Sequence, residues 1–307
     1  MHYLGIEIGG TKLQLGLGRG DGHIVALWRG TVNPAEGSAG IQKQIVSAVP
    51  ELLAKADTDR GLLHGVGIGF GGPTDDNTRT VIKSHQIRGW DGFPLADWVS
   101  DLVGVPAVLC NDADVAGLAE ALFGAGKGLS PIFYITVGTG VGGGLIIDGQ
   151  IYRGVGRGAA EIGHYHVVDS ADVEYASSTE QLASGWAIQH RAKEAGIVSE
   201  HGPLTVKTVA EAAWAGDLRA ADILGVATEA LAMAISQVIT LLCPRRIVLG
   251  GGVSLLGEEL FFRPIREKVV RRVFPPFAGL TDIVPAALGE EVVVHGALAL
   301  ARQKLGS

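Results

Sequence analysis

Cysteine is scarce: two residues in 307, Cys110 and Cys243, each among apolar neighbours. That excludes a disulfide framework and predicts two buried free thiols in a reducing compartment, hence the cytoplasm. Positive charge is also short. Lys and Arg number 25 against 32 Asp and Glu, a net charge of −7, so nucleic acid, which needs clustered cations, is not an expected partner. The concentrated basic run, RPIREKVVRR at 263–272, interleaves Ile265, Val269 and Val270 at helical spacing and predicts the wet face of a helix. No membrane partner is expected either. The most apolar long stretch, 226–243, carries Glu229, Ser236, Gln237 and Thr240, and the chain enters a strand at Tyr3 without a charged leader.

Glycine is in excess, with 46 residues where ~7% is usual. The glycines cluster at 9–10, 65–72, 138–144 and 250–252, each time after an apolar run, which predicts turns at strand ends. Two of these segments repeat each other. YLGIEIGGTKLQLGLGRGDGHIV and FYITVGTGVGGGLIIDGQIYRG both read strand, glycine turn, strand, Asp-Gly turn, strand, with Thr139 in the place of Thr11. Helices are predicted over 112–123, 180–195, 217–242, 256–270 and 290–305, and a strand at DIVPAAL. The expectation is a two-lobed α/β protein. One lobe spans 1–110 and is joined by the C-terminal helix 290–307; the other spans 111–289, with the cleft between them as the default ligand site.

Backbone N–H groups exposed by a glycine turn suit phosphate. A dinucleotide fingerprint is excluded because GTGVGGGLIIDG leads from strand to strand rather than into a helix, and no P-loop string occurs. A pair of phosphate-binding β-hairpins, each with a threonine hydroxyl, fits the duplication. Tight hairpins without a ligand are the plain alternative.

GIEIGGTK at 5–12, GIGFGGP at 67–73, NDADVAGLAEALFGAG at 111–126, ITVGTGVGGGLIIDG at 135–149, EIGH at 161–164 and IVLGGGVS at 247–254 follow one another along the chain. In this order they resemble the signatures of the ROK family of sugar kinases and sugar-responsive repressors. The resemblance implies an actin-like, hexokinase-like (ribonuclease H-like) ATPase fold and a kinase phosphorylating a hexose, most commonly glucose at its 6-OH.

It further implies that Gly9, Gly10, Thr11, Lys12, Thr139 and Gly140 hold the donor phosphates with Mg2+, and that Gly250, Gly251 and Gly252 pass close to the adenosine of ATP. Glu7 stands where relatives have Asp, keeping a carboxylate near the metal. Asp112 corresponds to the catalytic base. An Asn-Asp pair between a buried strand and a helix also suits that role on physical grounds, although an aspartate there can simply cap the helix. Asp114 stands where relatives more often have Asn. Glu161, His164 and Glu180 match the sugar-gripping positions, with Asn111, the backbone at Gly72 and Gln86, which replaces an Asn, completing the pocket.

Relatives commonly follow the histidine with a cysteine run that binds structural zinc. Here DVEYASSTEQ has none, so no zinc is expected, a substitute set of His164, His166, Asp169 and Asp172 fitting no recognised spacing. His166 is expected to alternate with His164 along a strand. The cysteine-free loop is also similar to the polyphosphate-dependent glucokinase branch, so polyphosphate is an alternative donor. A catalytically silent sugar-binding protein is another alternative. A repressor is disfavoured because only four residues precede Gly5. The family resemblance implies a homodimer or homotetramer.

Overall fold

In the computed structural model, residues 1–84, 86–167, 177–199 and 202–306 are described. The chain opens with strands β1 (His2–Ile8), β2 (Lys12–Gly18) and β3 (Ile24–Thr31), then helix α1 (Gly37–Lys55) and β4 (Leu63–Phe70). The short β5 (Thr74–Asp75) and β6 (Thr80–Val81) precede α2 (Leu95–Val103), β7 (Ala107–Asn111) and α3 (Asp112–Leu122). A second strand-rich run holds β8 (Ile132–Val137), β9 (Val141–Ile147), β10 (Gln150–Ile151), β11 (His166–Val167) and β12 (Ser177–Ser178). Helices α4 (Thr179–Ala183), α5 (Gly185–Glu194), α6 (Val206–Trp214) and α7 (Leu218–Leu242) follow. The chain ends with β13 (Arg246–Gly250), α8 (Arg263–Val270), β14 (Asp282–Pro285) and α9 (Val292–Leu305).

Two five-stranded sheets result, ordered β3-β2-β1-β4-β7 and β10-β9-β8-β13-β14. Each begins with a hairpin unit and adds parallel strands on one side: β1 pairs β4, and β8 pairs β13. The sequence repeat is therefore a repeat of topology. Its cause is local. At Asp148 and Gly149, φ is +50° and +74°, the left-handed pair that a two-residue hairpin needs to match strand twist, and Gln150 then pairs directly with Ile147.

The chain divides into two compact units. The first contains Met1–Gly128, Gly144–Ala159 and Ala287–Ser307, and the second Leu129–Gly143 and Ala160–Ala286. Residues 111–128, expected from the sequence in the second lobe, cluster with the first, because α3 packs against α9 there. In the first unit β1, β2 and β4 alternate little and are buried on both faces, with α1 contributing Ile41, Ile45, Val49 and Leu52 to one core. In the second unit α7 packs against α4, α5, α6 and α8. It has the length and composition of a membrane span, yet most of it is buried against other elements.

Helix ends differ from the periodicity in instructive ways. The segment read as one helix over 180–195 breaks at Ser184, whose hydroxyl accepts from Ala187 N and restarts the chain as α5. The segment read from 256 is a 3-10 turn and a π-helical turn before α8 begins at Arg263. Within α8, Ile265 and Val269 are buried, but Val270 is exposed. Cys110 is buried and its thiol is pushed upward in pKa by burial, then by Asp114; Cys243 is only half-buried at the left-handed C-cap of α7.

Glu120 on α3 is fully buried. Its carboxylate accepts from Ala125 N at 2.7 Å and from Ala287 N and Leu288 N at 2.9 Å each. It thus pins the turn after α3 and the segment leading into α9. Glu120→Ala leaves these donors without an acceptor and is expected to lower unfolding free energy by about 3 kcal/mol, read from urea denaturation.

Candidate functional site

In the first unit, the turn between β1 and β2 carries Gly9, Gly10, Thr11 and Lys12. Gly9 N donates to Lys12 O at 3.0 Å, which closes the hairpin, and Thr11 is exposed at its tip. The segment after β4 is tied alongside by Gly71 N to Ile8 O at 2.9 Å. Asn111 ends β7. Its Oδ1 accepts from Ala113 N and Asp114 N, and its Nδ2 donates to Gly72 O at 3.1 Å. Asn111 is therefore the cap of α3, so capping does not by itself account for Asp112. The Asp112 carboxylate accepts from Ala113 N at 2.8 Å, and a Cβ built on Gly71 would lie 3.3 Å from its Oδ2. Gly9, Gly71, Gly72, Asn111 and Asp112 are thus brought together.

Glu7 lies on β1 beneath the turn, 4% exposed. Lys12 Nζ meets its Oε1 at 2.9 Å and also donates to Glu290 O at 3.1 Å. Glu7 Oε2 is buried with no hydrogen-bond partner. Burial raises the Glu7 pKa to about 7; Lys12 opposes the rise, while Asp112 and Glu290 add to it. A buried carboxylate oxygen lacking a donor is the kind of atom that a cation or its bound water satisfies, so Glu7 fits Mg2+.

Gln86 packs on the same turn so closely that a Cβ on Gly10 would fall 1.5 Å from its Oε1. Its segment is anchored by Trp90, fully buried and edge-on to Phe70 and Phe93 at 5.7 and 5.3 Å between ring centroids. Gln86, Ser84, Trp90, Gly9, Gly10 and Gly71 line one narrow recess, too tight to admit a water molecule.

In the second unit, the turn Gly138–Thr139–Gly140 is closed by Gly138 N to Gly140 O at 2.9 Å, again with an exposed threonine. Gly185 N donates to Gly138 O at 2.8 Å, fixing the start of α5 on it. Gly251, at φ +84°, passes so near β8 that a Cβ would lie 2.5 Å from Val137 O, so this position requires glycine. Gly250 is buried beside it and Gly252 is exposed.

Glu180 accepts from Val141 N at 2.8 Å, and a Cβ on Gly163 would fall 2.1 Å from Val141 O. The EIGH segment and Glu180 therefore converge on the strand that leaves the second glycine turn. Glu161 and His164 are exposed at the two ends of a 3-10 turn, not along a strand, and His166 differs from the expected alternation by turning its Nδ1 to His164 O at 3.0 Å.

Around this segment, β11 and β12 pair as His166 with Ser178 and Val167 with Ser177. Thr179 N and Oγ1 both donate to Tyr165 O, and Ser178 with Gln181 forms a capping box on α4. These bonds tether both ends of the cysteine-free loop. Asp169 and Asp172 lie outside the described residues; among the described residues no group of three His, Cys, Asp or Glu is placed to hold a metal.

Arg153 and Glu120 escaped sequence reasoning. Glu120 lies within the helix predicted over 112–123 and Arg153 at the end of the second repeat, but each acquires its partners from distant segments.

Two hairpin-led sheets with matched glycine turns define the actin-like ATPase class of two-lobed α/β proteins, and solved structures agree. A ROK hexokinase from Thermus thermophilus matches with a TM-score of 0.85 at 26% identity, covering 100% of this chain and 99% of that one. A ROK family glucokinase from Streptomyces griseus in complex with glucose and AMPPNP matches at 0.81 and 32% identity, covering 99% and 100%. An inorganic polyphosphate/ATP-glucomannokinase from Arthrobacter matches at 0.67 and 25%, covering 99% of each chain. In sequence, a glucokinase from Halalkalibacterium halodurans is 31% identical over 99% of this chain and 96% of its own length. Residues 3–304 match the ROK family. The chain belongs to that family.

Proposed function

We propose that the protein is a cytoplasmic hexose kinase that transfers the terminal phosphoryl group of ATP to a sugar hydroxyl, with glucose and its 6-OH as substrate. What carries the reading is end-to-end similarity to a glucokinase that holds glucose and an ATP analogue, combined with Asp112 beside Gly71. Phosphoryl transfer asks for an aligned hydroxyl, neutralised phosphate charge and an acceptor for the hydroxyl proton. Asp112 takes that proton as the sugar oxygen bonds to phosphorus. Asn111 and the backbone at Gly72 orient the acceptor on Asp112's side.

Glu161, His164 and Glu180 accept from and donate to sugar hydroxyls. Glu180 also holds the second glycine turn through Val141 N, so one residue serves both groups. The turns at 9–12 and 139–140 offer N–H and hydroxyl donors to the donor phosphates, Lys12 adds positive charge, and glycines 250–252 leave room for adenosine. A magnesium ion, when bound, neutralises phosphate charge near Glu7. Gln86 packs on the first turn and sets its approach to the acceptor.

Polyphosphate is the alternative donor, favoured by likeness to a kinase that uses both. The deciding experiment is a hexose panel assayed with MgATP and with polyphosphate. Glucose 6-phosphate formed with ATP is the expected result. Turnover with polyphosphate alone replaces the donor, and no turnover with either sinks the kinase reading.

A further inference from the structure

Arg153 lies in the loop after β10 with its side chain only 13% exposed, and its guanidinium is used on all three nitrogens. Nη1 pairs with Asp114, whose side chain is 2% exposed in the first turn of α3. Nη2 donates to Thr74 O at 3.2 Å, to Thr74 Oγ1 at 3.3 Å and to Asp76 Oδ1 at 2.8 Å, while Nε donates to Asp76 Oδ2 at 3.0 Å. One planar fork thus ties the start of α3 to β5 and the residue after it, all within the first unit.

What is tied matters for the kinase reading, on which this inference rests. Asp114 is two residues beyond Asp112 on the same helical turn. Thr74 is two residues beyond Gly72, whose carbonyl holds Asn111. The spacing between Asp112 and the Gly71–Gly72 backbone is therefore held directly by Asn111 and, from beyond both segments, by the Arg153 fork. We propose that Arg153 is a positioning residue that fixes Asp112 against the acceptor-binding backbone at 71–74 by bridging Asp114 and Asp76. It contacts no reacting atom. Its neighbour Arg157 pairs with Asp75 at 3.1 Å from an exposed position, 73% accessible, and reaches no part of α3. That makes it an internal control on the same loop.

Displacing a reacting group by about 1 Å can cost about 100-fold in rate. Arg153→Met is accordingly expected to lower kcat by about 30- to 100-fold and raise sugar KM by about tenfold, with donor KM within about twofold. Arg153→Lys, keeping charge but not the fork, is expected to recover part of both. Arg157→Met should leave kcat and both KM values unchanged. Because Arg153→Met leaves Asp114 as a buried charge without its arginine, the double variant Arg153→Met with Asp114→Asn is measured beside it and should show the same kinetic split.

Hydrogen exchange without substrate supplies the second readout. Backbone amides at 71–78 and 111–115 are expected to exchange at least fivefold faster in both variants, other segments being unchanged. Kinetics within twofold of wild type in both variants would overturn the proposal, as would a donor KM rising as much as the sugar KM. A wild type inactive with either donor defeats the kinase reading separately. In that case unchanged exchange at 71–78 and 111–115 overturns the tether, and faster exchange there supports it.

Discussion

Asp112→Asn is expected to lower kcat by about 10³-fold while glucose binding stays within a few-fold. Positioned proton transfer contributes roughly 10² to 10⁴ in rate. The amide keeps the size and the acceptor oxygen that meets Ala113 N, but it cannot take a proton from the attacking hydroxyl. The helix itself should survive, since its cap is Asn111. A coupled kinase assay reads kcat, and calorimetric glucose titration reads binding. Activity within tenfold of wild type would remove Asp112 from the role of base. Loss of glucose binding together with activity would make it a sugar ligand first.

Glu7→Gln should stabilise the protein at neutral pH and impair catalysis at once. The Glu7 pKa is about 7 in the folded chain against an ordinary 4.5. Since the folded state holds this proton more tightly, the carboxyl's contribution to stability is fully present below about pH 4.5 and is lost as pH rises through about 7. At about 1.36 kcal/mol per pH unit, the ionised group costs on the order of 3 kcal/mol by pH 8. The amide never ionises. The variant should therefore match wild type in unfolding free energy near pH 4.5 and exceed it by about 2–3 kcal/mol at pH 8, by urea titration at both values. Its kcat with MgATP should fall, because the oxygen suited to a cation has lost its charge. Equal stability gains at both pH values would show that the Glu7 carboxyl does not titrate in this window.

The hairpin repeat could be read in the sequence because its determinants are local. Glycine and Asp-Gly pairs mark the turns locally, although Asp148-Gly149 makes a two-residue hairpin while Asp21-Gly22 sits in the longer connection 19–23. The first turn of α3 was equally readable, an Asn-Asp pair after an apolar strand being a local stop and start. The broken helix at Ser184 and the irregular turns before Arg263 were not. Apolar spacing continues through both; Ser184 interrupts the first as a cap, and Gly257, at φ +79°, interrupts the second. Exposure of Val270 likewise followed from which face of α8 meets α7, a matter that period alone cannot settle.

By itself the sequence determined the strand and turn order, the duplication, the family and the segments on which the candidate site residues lie. Tertiary structure decided how those residues are held. Glu7 gains its high pKa from burial, against the opposing charge of Lys12. Glu120 meets amides 167 and 168 positions away, and Arg153 meets Thr74 from 79 positions away. Such partnerships leave no periodic trace, because a buried charge selects its partner through space, by desolvation and hydrogen-bond geometry.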